Sequence, residues 1–174
     1  MTVLRRFTPS DLFKYNQVNL DRLTETYHTN FYFHYFVNWP NLCHISESPS
    51  GDVTGYIIGK VEGTGKRHKG HVTAVTVSPE YRRIGQASNL MKVLETISDK
   101  VYNGYFVDLY VRASNTVAFD MYSKMDYHLF RRVLNYYSGE EDGLDLRKAL
   151  SRDVNKESII PLGRDVTDED DFGD

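Results

Sequence analysis

A chain of 174 residues, 40% hydrophobic and 26% charged, with a formal charge of −3, is long enough to close one core and too ordinary in composition for disorder or a membrane protein. No apolar run reaches bilayer length and no basic-then-apolar leader opens it, so neither a membrane span nor a secretory signal is expected, and the chain reads as cytoplasmic. Cys43 is the only cysteine, which excludes a disulfide framework and a cysteine-rich metal site; no metal is expected, and the mild acidity gives no electrostatic reason for direct nucleic-acid binding.

In chain order, Thr2 to Phe7 reads as a strand, and Thr8-Pro9-Ser10-Asp11 as a helix start, with threonine at the N-cap, proline at the first position and an acid at the third. That helix is expected to run through Val18, followed by a loop over Asn19 to Asn30 and an aromatic-rich helix from about Phe31 to Trp39, stopped by Pro40. Leu42 to Ser46 is the next strand, Pro49-Ser50-Gly51-Asp52 a turn, and Val53 to Val61 a strand; Gly63 to Gly70 connects it to the strand Gly70 to Val77. The Lys66 to Lys69 run within that connection reads as a solvated turn. Ser78-Pro79-Glu80 ends the strand because proline offers no N–H to a ladder, and Leu90, Met91, Leu94 and Ile97 then recur at helical spacing.

After Gly104, the apolar density of Tyr105 to Val111 predicts a buried strand. Ser114-Asn115 leads into a helix with Val117, Ala118, Met121 and Tyr122; Tyr127 to Tyr137 is a strand, Ser138 to Gly143 an acidic turn, and Leu144 to Leu150 an edge strand returning antiparallel. The polar, acidic remainder, Ser151 to Asp174, reads as a docked or disordered tail outside a domain spanning 1–150. The order of elements gives an α+β protein whose mixed, mostly antiparallel central sheet is flanked by helices on both faces.

Between the strand ending at Val77 and the following helix lies Arg82-Arg83-Ile84-Gly85-Gln86-Ala87. A helix start has unpaired N–H groups and the positive end of the macrodipole, Gly85 and Ala87 let an anion come close, and Arg82 and Arg83 add charge. The hexapeptide is neither a Walker loop nor a dinucleotide fingerprint. It is similar to the Arg/Gln-x-x-Gly-x-Gly/Ala loop of the GNAT acetyltransferases, and the order of elements is also that of the family. Asn115 to Tyr122 resembles the family segment Asn-x-x-Ala-x-x-x-Tyr.

This resemblance implies acetyl-CoA as co-substrate, with its pyrophosphate on Arg82, Arg83, Gly85, Gln86 and Ala87, its pantetheine arm on the backbone at Val75 and Val77 and on Asn115, and Tyr122 as proton donor to the departing thiolate. By periodicity alone, Tyr122 reads as a core residue of an amphipathic helix. Asp126 stands where many members have a turn glycine, and no general base is legible in the sequence.

Leu23-Thr24-Glu25-Thr26-Tyr27, His71-Val72-Thr73-Ala74, Tyr136-Tyr137-Ser138 and Leu146 to Asp153 further resemble the NatB catalytic subunits within that superfamily. This closer resemblance implies acetylation of N-termini beginning Met-Asp, Met-Glu, Met-Asn or Met-Gln. It implies a large helical-repeat auxiliary subunit and, through it, ribosome association. Glu25, Tyr27, His71, Thr73, Ala74, Tyr136 and Tyr137 become candidate contacts for the substrate peptide. The aromatic density of Phe31 to Trp39 exceeds what one buried helical face needs, so part of it is expected to meet a partner. The alternatives are a family member acting on lysine side chains or small amines, and a non-catalytic acetyl-CoA-binding adapter, which would have no use for Tyr122.

Overall fold

The computed structural model describes residues 1–14, 27–138, 140–167 and 170. They form two compact units, Met1–Val61 with Gly70–Tyr102, and Glu62–Lys69 with Asn103–Asp174. In the first unit, β1 (Val3–Arg6), β2 (Cys43–Glu47), β3 (Val53–Glu62) and β4 (Lys69–Val77) lie in sequence order, with β1–β2 and β2–β3 antiparallel. Two helices belong to it, α1 (Thr29–Asn38) and α2 (Gln86–Lys100).

The core of this unit gathers Phe7, Tyr32, Tyr35, Cys43, Ile45, Val53, Tyr56 and Ile58. Tyr32 and Tyr35 come from one face of α1, and Cys43 and Ile45 from alternate positions of β2, the two periodicities by which a helix and a strand bury one side. Cys43 packs there as a small core residue, and burial pushes its thiol up to about 12. On α2 the buried positions are Gln86, Leu90, Met91, Leu94 and Ser98, with Ile97 only half-buried.

The expected first helix departs from the sequence pattern. Pro9–Phe13 is a single 3-10 turn, closed by Asp11, which accepts the Thr8 N–H at 2.9 Å and both η-nitrogens of Arg5 at 2.8 and 2.9 Å. Burial works against the charge on Asp11, but Arg5 and Thr8 outweigh it and hold the carboxyl below its ordinary range. The continuation towards Val18, and the expected loop up to residue 26, lie outside the described residues; α1 begins at Thr29.

In the second unit, β5 (Phe106–Arg112), β6 (His128–Tyr137), β7 (Glu141–Ala149) and β8 (Val166–Thr167) take the order β5-β7-β6-β8, with α3 (Thr116–Lys124) between β5 and β6 in the chain. β7 is antiparallel to both neighbours and β8 parallel to β6. The expectation of an edge strand at Leu144 to Leu150 is therefore corrected: β7 is interior. Asp145 on it is fully buried between Arg131 and Arg147, with Nε of Arg131 at 2.9 Å and Nη2 of Arg147 at 3.1 Å. Nor is Lys69 part of a solvated turn, because its ammonium pairs with the buried Asp108.

The C-terminal segment packs as far as Thr167. Asp153 accepts the N–H groups of Glu157 and Ser158, each at 2.9 Å, Leu162 N–H donates to Phe130 O at 2.8 Å, and Val166 is buried. On α3 the expected apolar face is narrow: Tyr122 is buried but Val117 is 80% exposed. Asp126, in place of a turn glycine, adopts φ +69°, a left-handed conformation costing about 1–2 kcal/mol for a residue with a Cβ, while its carboxylate pairs with His128 Nε2 at 3.0 Å.

Candidate active site

In the first unit, β4 ends at Val77, whose carbonyl accepts a hydrogen bond from Nε of Arg82 at 3.0 Å. The chain then takes two left-handed residues, Arg83 at φ +64° and Gly85 at φ +82°, before α2. Gly85 is the N-cap, and the Asn89 N–H to Gly85 O bond, 3.0 Å, is the first full helical turn. The N–H groups of Gln86, Ala87 and Ser88 therefore precede the helical ladder and point out of its positive end.

A Cβ built on Gly85 would meet nothing within 4 Å. Glycine is thus required here by backbone conformation rather than crowding, and the space over the turn is open to a ligand. Arg82 and Arg83 are exposed beside it. Three outward donors, open space and two guanidinium groups fit a pyrophosphate.

Gln86 contributes differently from its neighbours. Its side chain is buried, with Oε1 accepting from Thr54 Oγ1 at 3.0 Å, and Nε2 is enclosed without a hydrogen-bond partner among the described residues. Only its backbone N–H faces the turn, and the side chain braces α2 against β3. Val75 is half-buried and Val77 buried on β4.

The peptide candidates of this unit sit on β4 and next to α1. Thr73 Oγ1 donates to Tyr35 OH at 2.8 Å, a partnership the sequence did not suggest. His71 is half-buried two residues earlier on the same strand, and Ala74 packs against the core cluster. Tyr27 stacks on Phe31 with ring centroids 4.1 Å apart. Glu25 lies outside the described residues.

In the second unit, Tyr122 is 7% exposed and meets the Tyr127 ring edge-on at 5.9 Å. Burial pushes its phenol above the ordinary value, so it stays protonated throughout the neutral range. Asn115 is the exposed N-cap of α3, its Oδ1 accepting the Ala118 N–H at 3.1 Å. Tyr136 and Tyr137 meet edge-on at 4.9 Å at the end of β6, and the Arg112 guanidinium lies 4.3 Å over the Tyr137 ring.

The acetyltransferase (GNAT) family matches residues 10–127. The chain belongs to that family. It is 60% identical over 167 residues, 96% of each chain, to the N-terminal acetyltransferase B complex catalytic subunit NAA20 of Arabidopsis thaliana. Its structure superposes on that of Chaetomium thermophilum Naa20 in complex with a bisubstrate analogue with a TM-score of 0.88, at 38% identity over 95% of each chain. A NatB acetyltransferase complex bound to CoA and MES gives a TM-score of 0.79 at 41% identity, covering 85% of this chain and 99% of that one. Within the GNAT family the chain is thus a NatB catalytic subunit, an N-terminal acetyltransferase dependent on acetyl-CoA, and the expected α+β fold holds.

Proposed function

We propose that the chain transfers the acetyl group of acetyl-CoA to the α-amine of nascent proteins beginning Met-Asp, Met-Glu, Met-Asn or Met-Gln. It would work with a large helical-repeat auxiliary subunit that brings it to ribosomes in the cytoplasm. The observation that carries this reading is the 60% identity to a NatB catalytic subunit over 96% of both chains. Local geometry supports the division of labour.

Acetyl-CoA supplies an acyl group already activated as a thioester. The N–H groups at the start of α2, with Arg82 and Arg83, would hold its pyrophosphate, and the NH2 group of Asn115 would contact its pantetheine arm. The substrate α-amine has a reference pKa near ~8, so little help is needed to expose its lone pair. As the C–N bond forms and the C–S bond breaks, the amine gives up a proton to water and the sulfur takes one, which Tyr122, protonated in the neutral range, would donate and then recover from water. Discrimination at the second peptide residue would rest on donors near β4. His71 is one, and because Thr73 donates to Tyr35, the donor that this pair offers is the Tyr35 O–H.

The aromatic helix divides its rings between core and surface. Tyr32 and Tyr35 are buried, while Phe33 and Val37, one turn apart on α1, are 42% and 77% exposed and would meet the auxiliary subunit. The test is a panel of N-terminal peptides differing at residue two, assayed with acetyl-CoA with and without that subunit. Met-Asp and Met-Glu should be acetylated at least ~10-fold better than Met-Leu or Ser-Ala, since an apolar side chain leaves a buried donor unpaired. A preference for Met-Leu, or for internal lysine, would overturn the assignment.

A further inference from the structure

One face of the second unit carries a connected row of polar and aromatic side chains that the acetyl-transfer chemistry does not use. Tyr110 on β5 and Arg131 on β6 are both register partners of Asp145 on the intervening β7, so the three form one row across three strands. Arg131 donates to Asp145 through Nε at 2.9 Å and to the Tyr110 hydroxyl through Nη2 at 3.2 Å. The Tyr110 ring stacks on Tyr136, with centroids 4.5 Å apart and planes 10° from parallel.

Beneath Tyr136 lies Gly143, two residues before Asp145 and on the same side of β7. A Cβ on Gly143 would stand 2.9 Å from Cδ1 of Tyr136 and 3.0 Å from both its Cβ and Cγ. These are the root of the side chain, not its far end, so any residue larger than glycine must displace the ring. β6 is irregular here: the register shifts between Val133 and Tyr137, and Asn135 takes φ +54°, its N–H donating to Asp142 Oδ1 at 2.9 Å. That bulge turns the strand so that Tyr136 lies back over the glycine.

We infer that Gly143 and Tyr110 are positioning residues for the substrate peptide: Gly143 provides the floor on which the Tyr136 ring lies, and Tyr110, oriented by the Arg131–Asp145 pair, fixes its plane. The inference rests on the reading of Tyr136 and Tyr137 as peptide contacts. A purely structural role for this row would lower stability without selecting the peptide. A positioning role moves the Michaelis constant for the peptide while leaving acetyl-CoA binding alone, because the displaced group touches only one of the two substrates.

The experiment measures kcat, KM for a Met-Asp peptide, acetyl-CoA affinity and Tm for the full chain, with its auxiliary subunit where activity requires it. The variants are Gly143→Ala, Tyr110→Phe, Tyr136→Ala and the Gly143→Ala/Tyr136→Ala double. Gly143→Ala should raise peptide KM about tenfold, with kcat and acetyl-CoA affinity within about twofold of the parent. Tyr110→Phe keeps the ring and removes the hydroxyl that accepts from Arg131, so it should raise KM about threefold, and it tests the same idea if the glycine variant folds poorly. In the Tyr136→Ala background, Gly143→Ala should have no further effect on KM.

If Tyr136→Ala raises KM while Gly143→Ala and Tyr110→Phe do not, the positioning inference is overturned and the peptide reading stands. If Tyr136→Ala leaves KM unchanged, the peptide reading of Tyr136 falls, and this inference with it. An equal effect of Gly143→Ala with and without the Tyr136 ring would show that the glycine acts elsewhere, which also overturns it.

Discussion

Phe7, Tyr32, Ile45, Tyr56 and Ile58 fill the core of the first unit, whereas one face of the second carries Lys69 on Asp108 and Arg131 and Arg147 on Asp145. An apolar cluster tolerates a change of shape at modest cost, because its contacts are many and non-directional. A buried charge tolerates no loss of partner, since whatever remains is an uncompensated ion. The same contrast separates the groups proposed to act: for acetyl-CoA the first unit would offer backbone N–H groups at the start of α2 beside Arg82 and Arg83, while the second would offer the side chains of Tyr122, Tyr136 and Tyr137. Binding of acetyl-CoA should therefore be sensitive to backbone conformation in the first unit, and turnover to single atoms in the second.

The largest expected effect tests the contrast in stability. Asp145→Ala leaves Arg131 and Arg147 without their shared carboxylate and should destabilise by about 3–5 kcal/mol, while Ile57→Val in the fully buried core of the first unit should cost only about 0.5–1.5 kcal/mol. Denaturant unfolding of both variants checks this; equal losses would erase the distinction between the two interiors.

Next comes turnover. Tyr122→Phe removes one hydroxyl and keeps the buried ring, so kcat should fall by about 10²-fold with acetyl-CoA affinity nearly unchanged. A normal kcat would reduce Tyr122 to packing. The complementary variant, Gly85→Val, puts a β-branched residue at φ +82° and should weaken acetyl-CoA binding about tenfold or more by calorimetry. Unchanged affinity would break the claim that the first unit works through its backbone.

The smallest effect sharpens the picture of the first unit as an apolar interior. Burial, with the nearby Arg6, holds His44 below its ordinary value of 6.5. The unfolded chain then takes up a proton before the folded one, so stability is intact above pH 6.5 and declines as pH falls from there through the depressed native value. Tm measured between pH 7.5 and 5.5 should drop on the acid side, and His44→Gln should flatten that slope. An unaltered slope in the variant would assign the acid limb to other groups.

The contrast also explains what was readable before the structure. Strands with clean alternation or dense apolar runs, such as β3 and β5, were legible because burial of one or both faces dictates their composition. The turn Arg82 to Ala87 was legible because a helix start, a glycine and two arginines are a local pattern, and local patterns survive in the sequence. β7 is interior, against the expectation of an edge, because its second neighbour, β5, is separated from it along the chain by α3 and β6, and the pairing of Phe106–Arg112 with 143–149 leaves no local pattern. A buried aspartate on each of two adjacent strands, Asp108 and Asp145, was the available signal, since carboxylates alternating with Leu and Val in a strand need either water or a cation.

Sequence alone determined the class of fold, the glycine turn that opens α2 and the family, because periodicity, turn chemistry and short motifs are properties of neighbours along the chain. Only the tertiary structure decided that Gln86 braces α2 against Thr54, that Thr73 gives its proton to Tyr35, and that Gly143 lies under the Tyr136 ring. Each of these joins two segments brought side by side by folding. No local rule carries that information, because direct contacts, unlike propensities, depend on where the other segment comes to rest.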